Sequence, residues 1–466
     1  MKALKRLDKT LRALICKRGK TKLLSIVVTL FVAAAFFAHS LKAATPDALS
    51  PDQFGSLLTL DEAVTRALQS HAEVKRAFAR LHKEESLYKG SLAEFFPKLN
   101  GEVVSAFATG EKHFVNFVDT GIEQPIFQGG KIVAQKKKQK TLVESEQLKL
   151  EQAKLDVELG VRVLYAQVLQ EKELTRIAQG QVKELTVEYA RIKKLVDQEI
   201  LPRYEFFRIE TLLQGAKHAL VKHKESYDYL LTVLRETVGV SEGESLELEP
   251  LGDFPELDES VFTYLTTARQ HDPVYKLKDL RVQEKQFEKK ELQADRYPHL
   301  SLTAKWNQFN DVFVDTNRVM VGVVGKWNIW DFGRLGSKIK AKSHEIEEMK
   351  WEGELKVRQY EREIRKVFHQ SRAVREKIRL TEALIQERQE IYKNEKTRLI
   401  AGEKGTGELI DSFIALEEAK IKNIEAVTEY RLLLVKLGRK TDFEAYLQGI
   451  EPEEPAAPSQ YDLEEE

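Results

Sequence analysis

The sequence of 466 residues has one cysteine, Cys16, and lacks the residue patterns that enzymes use. Once the N-terminal segment that contains Cys16 is removed, the chain can form no disulfide and offers no thiol nucleophile or cysteine-based metal site. The ten histidines show no His-Glu-x-x-His spacing, and phosphate-loop and dinucleotide-binding patterns are absent. The sequence therefore gives no support to an enzyme, and we expect neither a cofactor nor a bound metal.

Long apolar runs are also scarce, because no stretch after residue 44 reaches about 18 consecutive apolar residues, the length that indicates a spanning helix. The apolar run of residues 23–38 follows a basic N-terminus and ends in small residues, which is the order of a secretory signal peptide. A permanent membrane anchor is the alternative, but the run is shorter than the roughly 20 residues that a spanning helix needs. Residues 1–44 are thus predicted to be a signal peptide and residues 45–57 a linker.

The formal charge of the chain is zero, with 74 basic and 74 acidic residues, but the charge is unevenly distributed. Residues 1–44 carry ten Lys or Arg and a single acid, so the rest has 64 basic and 73 acidic residues, a net charge of −9. Nucleic-acid binding needs a basic face, so this class of function is not supported.

The sequence contains a long repeat, with landmarks that recur in the same order about 200 residues apart. A period of this length indicates duplication of a whole subdomain rather than a short solenoid repeat. We predict a first repeat over 58–240, a linker over 241–256, a second repeat over 257–440 and an acidic, disordered tail over 441–466. The matched landmarks are His71–Val74 with His271–Val274, Phe95–Leu99 with Arg296–Leu300, Pro125–Lys131 with Asn328–Arg334, Glu205–Lys217 with Glu408–Lys420, and Val238-Gly239 with Leu437-Gly438.

Each repeat contains a long stretch without proline and with little glycine, from Lys131 to Leu201 and from Ser337 to Ala401. Helices of about 65 residues would extend close to 100 Å at about 1.5 Å per residue. Apolar residues recur at steps of seven, or of four and three, a narrow seam typical of coiled coils. The seam residues are Leu150, Val157, Val161, Leu164 and Val168 in the first repeat, and Val367, Val374, Ile378, Ile385, Tyr392 and Leu399 in the second.

Two strand pairs, predicted over 97–127 and 298–330, separate this chain from a generic cytoskeletal coiled coil. Each begins with a proline that ends the preceding helix, and each shows alternating apolar residues around a central group of Gly, Asn and Asp. The runs are about 10 to 14 residues long, and a tilted strand that crosses a bilayer needs roughly 9 to 11. Four strands cannot close a barrel, so membrane insertion would require several chains to pool their strands. A soluble hairpin packed on the coiled coil remains the alternative.

Several motifs resemble those of the TolC-like outer-membrane efflux protein family over about residues 58–439. The segment Leu58-Thr-Leu-Asp-Glu-Ala63, with Ala67-Leu68, resembles the first helix of that family. The other matching segments are His271-Asp-Pro-Val274, Phe96-Pro97, Tyr297-Pro298, Phe127-Gln-Gly-Gly-Lys131, Trp330-Asp-Phe-Gly-Arg334, and the run from Gly402 through Leu409–Ser412 to Ala419-Lys420.

The resemblance implies a mainly α chain with a small β part. It implies that duplicated long-helix coiled-coil repeats form an α-barrel in the periplasm, and that two β-hairpins per chain are pooled into a trimeric, 12-stranded transmembrane β-barrel in the outer membrane. It further implies a passive gated conduit of a tripartite efflux or type I secretion system. The implied partners are two further copies of the chain, outer-membrane lipid, a periplasmic membrane-fusion adaptor and an inner-membrane pump of the RND, ABC or MFS type. A periplasmic adaptor or structural coiled-coil protein is the alternative, which the duplicated hairpins disfavour.

The resemblance also implies roles for individual residues. Glu408 and Asp411 match the family's acidic constriction, where a ring of carboxylates would favour cations. Alternatively, they are ordinary acids that stabilise a helix start. The adaptor-docking tips would comprise Ile200, Leu201, Pro202, Gly402, Glu403 and Lys404. The motifs that start and end the hairpins comprise Pro97, Gly129, Gly130, Pro298, Asp331 and Gly333.

Overall fold

The computed structural model describes residues 57–108, 113–240, 246–252, 257, 260–310, 315–400 and 406–441. The predicted signal peptide lies outside the described residues, as does the acidic tail beyond residue 441. Three of the predicted docking residues, Gly402, Glu403 and Lys404, also lie outside them. The division of the chain into signal peptide, linkers, repeats and tail stays a prediction.

Helices and strands occur in two sets with the same order, in which the four helices are 11, 22, 67 and 36 residues long. The first set comprises α1 (Leu60–Ser70), α2 (Ala72–Ala93), β1 (Lys98–Ala108), β2 (His113–Phe127), α3 (Lys131–Asp197) and α4 (Arg203–Val238). The second comprises α5 (Val261–His271), α6 (Pro273–Ala294), β3 (His299–Asn310), β4 (Asp315–Lys326), α7 (Arg334–Ile400) and α8 (Thr406–Thr441). The predicted fold class, mainly α with a small β part and duplicated long helices, is confirmed.

The short helices begin where the sequence provides capping groups. Thr59 accepts a hydrogen bond from the amide of Glu62 at 3.2 Å and starts α1. Asp272 accepts one from the amide of Val274 at 2.8 Å and starts α6, where Pro273 fits because the first helical position needs no amide donor. These caps determine where the two helices begin.

The long helices are held by three buried clusters. One joins α1, α3 and α4, and a corresponding one joins α5, α7 and α8. Tyr165 and Phe368, which are 203 residues apart, are almost fully buried at equivalent places in these two clusters. The third cluster lies at the α3–α4 tip and includes Ile410 of α8. Seam residues predicted from the sequence, including Val161 and Ile378, are buried in these clusters.

The two hairpins form one antiparallel sheet with the order β1-β2-β3-β4. The sequence predicted the hairpins separately, whereas in the structure β2 pairs with β3 and joins the two repeats. The second predicted hairpin extended to Trp330, but β4 ends at Lys326. The chain leaves the sheet there, and the indole Nε1 of Trp327 donates to the carbonyl of Arg296 at 3.1 Å instead.

Candidate functional site

The sheet has two chemically different faces, because residues directly opposite each other on neighbouring strands project to the same side. One face carries Leu99 and Val103 of β1, Val118 and Ile122 of β2, Leu302, Ala304 and Trp306 of β3, and Val319, Val321 and Val323 of β4. The other carries Asn100 and Glu102, Asp119 and Glu123, Thr303, Lys305 and Asn307, and Arg318. Exceptions include Ser105, Thr120, Gln124 and Gln308 on the first face and Val104, Phe117, Met320 and Val324 on the second.

The apolar face is open in the single chain. Val319 and Val321 are 72% and 71% exposed, which is unusual for aliphatic residues in the middle of a strand. On the polar face, Lys305 Nζ lies 3.7 Å from Asp119 Oδ2. Continuous exposed apolar surface marks contact with another protein or with a membrane.

The hairpin motifs form the joints between the sheet and the helices. Gly129, Gly130 and Gly333 have positive φ angles of 60°, 86° and 81°. A Cβ on Gly129 would lie only 2.5 Å from the carbonyl oxygen of Ala294, so this position requires glycine.

The remaining motif residues stand at the ends of the same joints. Asp331 accepts from the amides of Gly333 at 3.1 Å and Leu335 at 2.8 Å, and so caps α7. Pro97 and Pro298 lie between a helix end and the first residue of a strand. The structure thus brings the predicted motif residues to the sheet–helix boundary.

The α3–α4 tip exposes apolar side chains. Ile200 is 63% exposed, Tyr204 65% and Phe207 54%, whereas Leu201 packs against the tip cluster. Pro202 lies one residue before the first position of α4, because its ψ of 146° is extended rather than helical.

The two predicted gate acids lie near the start of α8 and are exposed. The carboxylate of Asp411 pairs with the guanidinium of Arg208 on α4, and this hydrogen bond raises the pKa of Arg208. The second terminal nitrogen of the guanidinium, Arg208 Nη1, lies 3.9 Å from Glu205 Oε2. The tip therefore combines acids of both repeats with one arginine.

Arg208 was missed by the motif comparison, although the repeat contains the signal for it. Arg208 and Asp411 are 203 residues apart, the same offset that relates Glu205 to Glu408. The two partners of the ion pair therefore occupy equivalent positions in the two repeats, with a basic residue in the first repeat and an acidic residue in the second. The alignment of the repeats marks these two positions, but their contact depends on the packing of α4 beside α8.

A buried ionic cluster lies far from the tip and was also not foreseen. Asp272 has a side chain that is 3% exposed and accepts hydrogen bonds from Arg439 Nη1 at 2.9 Å and from the hydroxyl of Tyr360. Arg439 also lies 2.8 Å from Asp156. Burial raises the pKa of Tyr360, and the nearby Asp272 carboxylate raises it further. The cluster ties α3, α6, α7 and α8 together.

No helix within the described ranges is long and apolar enough to span a membrane. Among the same described residues, no group of three or more His, Cys, Asp or Glu is placed to hold a metal ion.

No protein-family model matches this chain, and no curated protein matches it by sequence. Solved structures do share its fold. The outer-membrane channel CmeC of Campylobacter jejuni is 15% identical and superposes with a TM-score of 0.71, over 86% of this chain and 93% of its own. MtrE of Neisseria gonorrhoeae in its open state is 13% identical with a TM-score of 0.71, over 86% and 97%. VceC of Vibrio cholerae is 14% identical with a TM-score of 0.70, over 82% and 95%.

These structures are described as outer-membrane channels or proteins, and they align over nearly their whole lengths. At such low identity the likeness establishes the fold. The resemblance to TolC-like channels that the motifs predicted is confirmed at that level.

Proposed function

We propose that this chain is a subunit of an outer-membrane channel, a passive gated conduit of a tripartite efflux or type I secretion system. The observation that carries the proposal is the two-faced sheet. A strand in a transmembrane barrel alternates apolar residues toward lipid with polar residues toward the lumen. The open apolar face that includes Val319 and Val321, opposite the face of Lys305 and Asp119, has this pattern.

The edges of the sheet support assembly from several chains. Both β1 and β4 pair on one side only within the described chain. Unpaired strand edges are costly in lipid, so a membrane-embedded sheet must close, and four strands are too few to do so. Three copies would supply twelve strands to one barrel; the number three comes from the resemblance to TolC-like channels.

The long helices support a periplasmic conduit. A helix of 67 residues is about 100 Å long, so α3 and α7 would extend far from the membrane. We place the tips formed by Ile200, Leu201 and Pro202, together with Gly402, Glu403 and Lys404, against a membrane-fusion adaptor. The exposed apolar side chains of Ile200, Tyr204 and Phe207 support such a contact. Through the adaptor, the channel would work with an inner-membrane pump of the RND, ABC or MFS type.

We propose Glu408 and Asp411 as the acidic gate at this end of the conduit. In a trimer these acids would recur three times around one opening and favour cations over anions. Arg208 modifies the original prediction, because its contact with Asp411 reduces the negative charge and links α4 to α8. Glu408 would then carry the larger share of the cation preference.

Single-channel recording tests the proposal. The full protein, purified in detergent and added to a planar bilayer, should give discrete conductance steps with cation selectivity. The Glu408→Ala/Asp411→Ala variant should give steps of lower cation selectivity. Steps that do not change in the variant would keep the channel and refute the gate. A protein that never inserts would refute the channel and return the adaptor to consideration.

A further inference from the structure

Positive charge is concentrated where the two long helices leave the sheet. Residues 131–143 of α3 contain five lysines and no acid, and residues 334–344 of α7 contain four Lys or Arg and no acid. The remainder of α3 is balanced, with ten acids and nine basic residues, so the concentration is local. The residues are Lys131, Lys136, Lys137, Lys138 and Lys140 on α3, and Arg334, Lys338, Lys340 and Lys342 on α7.

This placement opposes the usual preference of a helix. The N-terminal end of a helix carries partial positive charge and favours acids. Four of the other six helices follow this rule with an acid in the first turn, whereas α3 and α7 have none there. The preference of a helix N-terminus for acids therefore does not explain the placement of these lysines. Internal contacts or an external partner must explain it.

Internal contacts explain only part of the group. Lys131 Nζ lies 3.0 Å from Asp295, Lys138 Nζ 3.0 Å from Glu291, and Lys342 Nζ 2.9 Å from Glu288. Five others are exposed, namely Arg334 at the start of α7 and four lysines that we call the junction lysines: Lys137, Lys140, Lys338 and Lys340. Within the described part of the chain, only Lys140 among these four has an ion pair.

The ion pair of Lys140 is a weak one. Its Nζ lies 3.7 Å from Glu144, and both side chains are largely exposed. Surface pairs of this kind contribute about 0–1 kcal/mol. All four junction lysines therefore keep charge available for a partner outside the chain.

Exposed aromatic residues mark the level of the sheet–helix boundary. Trp330 is 74% exposed and Phe332 92%. Exposing large aromatic side chains to water is unfavourable, and such side chains are typical of the interface between membrane and water. The others at this level are Phe96, Tyr297 and Trp327, which are 65%, 55% and 55% exposed.

The junction lysines lie just beyond that aromatic level. Counting about 1.5 Å per residue, Lys137 and Lys140 are roughly 10 to 15 Å from Gly130 along α3, and Lys340 is roughly 10 Å from Gly333 along α7. The headgroup layer on each side of a bilayer is about 5 to 8 Å thick. The flexible lysine stems reach toward it, and charges act over a screening length of about 8 to 10 Å. The junction lysines are thus within electrostatic range of phospholipid headgroups.

We propose that the junction lysines bind anionic phospholipid headgroups in the leaflet from which the long helices emerge. This inference rests on the proposed function, since it requires the sheet to lie in a bilayer. The charge complementarity is direct, because four unpaired or weakly paired ammonium groups face a surface of phosphates. Such binding fixes the depth of the sheet in the membrane, which the apolar face alone leaves free to shift along the bilayer normal.

Quenching of tryptophan by brominated lipid tests the inference. The full protein is reconstituted in mixed vesicles of phosphatidylcholine and phosphatidylglycerol, in which one or the other lipid carries brominated chains. Trp306, Trp327 and Trp330, on the apolar face and at the boundary, report which lipid is in contact. The protein should prefer phosphatidylglycerol by about fivefold or more, the factor that a single lysine near an anionic surface supplies. About 0.5 M NaCl should reduce that preference.

A charge-matched pair of variants locates the effect. Replacing the four junction lysines by glutamine should bring the preference close to one. The control replaces four exposed lysines far along the helices, Lys193, Lys222, Lys366 and Lys393, by glutamine, and should keep the preference. An equal loss in both variants, or quenching without any headgroup preference in the original protein, would overturn the inference and leave the channel intact. Absence of quenching by either brominated lipid would overturn the channel proposal as well.

Discussion

Gly129 shows how one residue sets the joint between sheet and helix. Its φ of 60° and the 2.5 Å approach of a hypothetical Cβ to the carbonyl oxygen of Ala294 act together, because the backbone that follows β2 passes close to the end of α6. At the neighbouring Gly130, φ is 86° but no atom lies within 4 Å of such a Cβ. The two glycines therefore have different reasons to be glycine.

Gly129→Ala is expected to destabilise the protein more than Gly130→Ala. The Gly130 variant should cost about 1–2 kcal/mol, the strain of a left-handed residue with a side chain. The Gly129 variant adds a clash with backbone, so its cost should exceed that by about 1 kcal/mol or more. Urea unfolding followed by helical circular dichroism measures both changes. Equal costs for the two variants would contradict the close approach.

The Arg208–Asp411 pair is expected to control selectivity rather than stability. Arg208→Ala should raise cation selectivity, since it leaves the Asp411 carboxylate uncompensated, and Arg208→Lys should stay closer to the original protein. The side chains are 38% and 62% exposed, so the free energy of unfolding should change by less than about 1 kcal/mol. Reversal potentials across a salt gradient measure the selectivity. An unchanged reversal potential in Arg208→Ala would show that the pair does not line the conduit.

At the scale of helices, an ionic ladder joins α6 to α7. Lys342 Nζ lies 2.9 Å from Glu288, and Lys285 Nζ lies 3.3 Å from Glu345. Burial disfavours the ionised Glu288, but hydrogen bonds from Lys342 and Lys285 outweigh it and lower the pKa of Glu288 below its ordinary value of 4.5. Hydrogen bonding by Lys342 lowers the pKa of Glu345 as well.

This ladder predicts a loss of stability in acid. Because the pKa of Glu288 is lower in the folded than in the unfolded chain, its contribution is present above pH 4.5 and is lost as the pH falls through the folded pKa. The thermal midpoint should therefore decrease below about pH 4.5. Glu288→Gln should weaken that decrease, and the exposed Glu348→Gln should not. Identical pH profiles for the two variants would exclude the ladder as the cause.

The buried cluster around Asp272 should be among the most sensitive contacts between helices. Arg439→Met leaves a carboxylate that is 3% exposed without its cation, which typically costs about 3–5 kcal/mol. The exposed Arg372→Met should cost less than about 0.5 kcal/mol. Adding Asp272→Asn to Arg439→Met should recover part of the loss, because the uncompensated charge is removed. Chemical denaturation of the four proteins measures this, and a cost for Arg439→Met as small as the control would contradict it.

The elements that follow from local sequence were predicted well, and the contacts between distant segments were not. The absence of proline and the seven-residue seam were enough for α3 and α7, since these are properties of one continuous stretch. The pairing of β2 with β3 depends on a register between segments about 180 residues apart, which alternation within each strand does not encode. The Arg208–Asp411 contact likewise requires α4 and α8 to be placed side by side.

At the scale of the whole molecule, the order of the two repeats creates a surface that the chain cannot cover by itself. The sheet presents an apolar face and two open edges, and the long helices extend from one end of it. In water this arrangement would expose the valines of β4, whereas in a membrane the same valines would face lipid and the edges would pair with further copies. The central claim is therefore that the sheet is part of a transmembrane wall.

Cysteine labelling of the two faces of the sheet tests this claim most directly. Because Cys16 is the single cysteine of the chain, its change to serine removes all background labelling. Lys305→Cys reports the polar face and Val321→Cys the apolar face. In the single chain Val321 is 71% exposed and the Lys305 side chain 48% exposed, so exposure in water alone would favour labelling of Val321→Cys. In reconstituted vesicles opened to both sides, a water-soluble maleimide should label Lys305→Cys and spare Val321→Cys, and both should react after denaturation. Ready labelling of Val321→Cys in the vesicles would contradict the account.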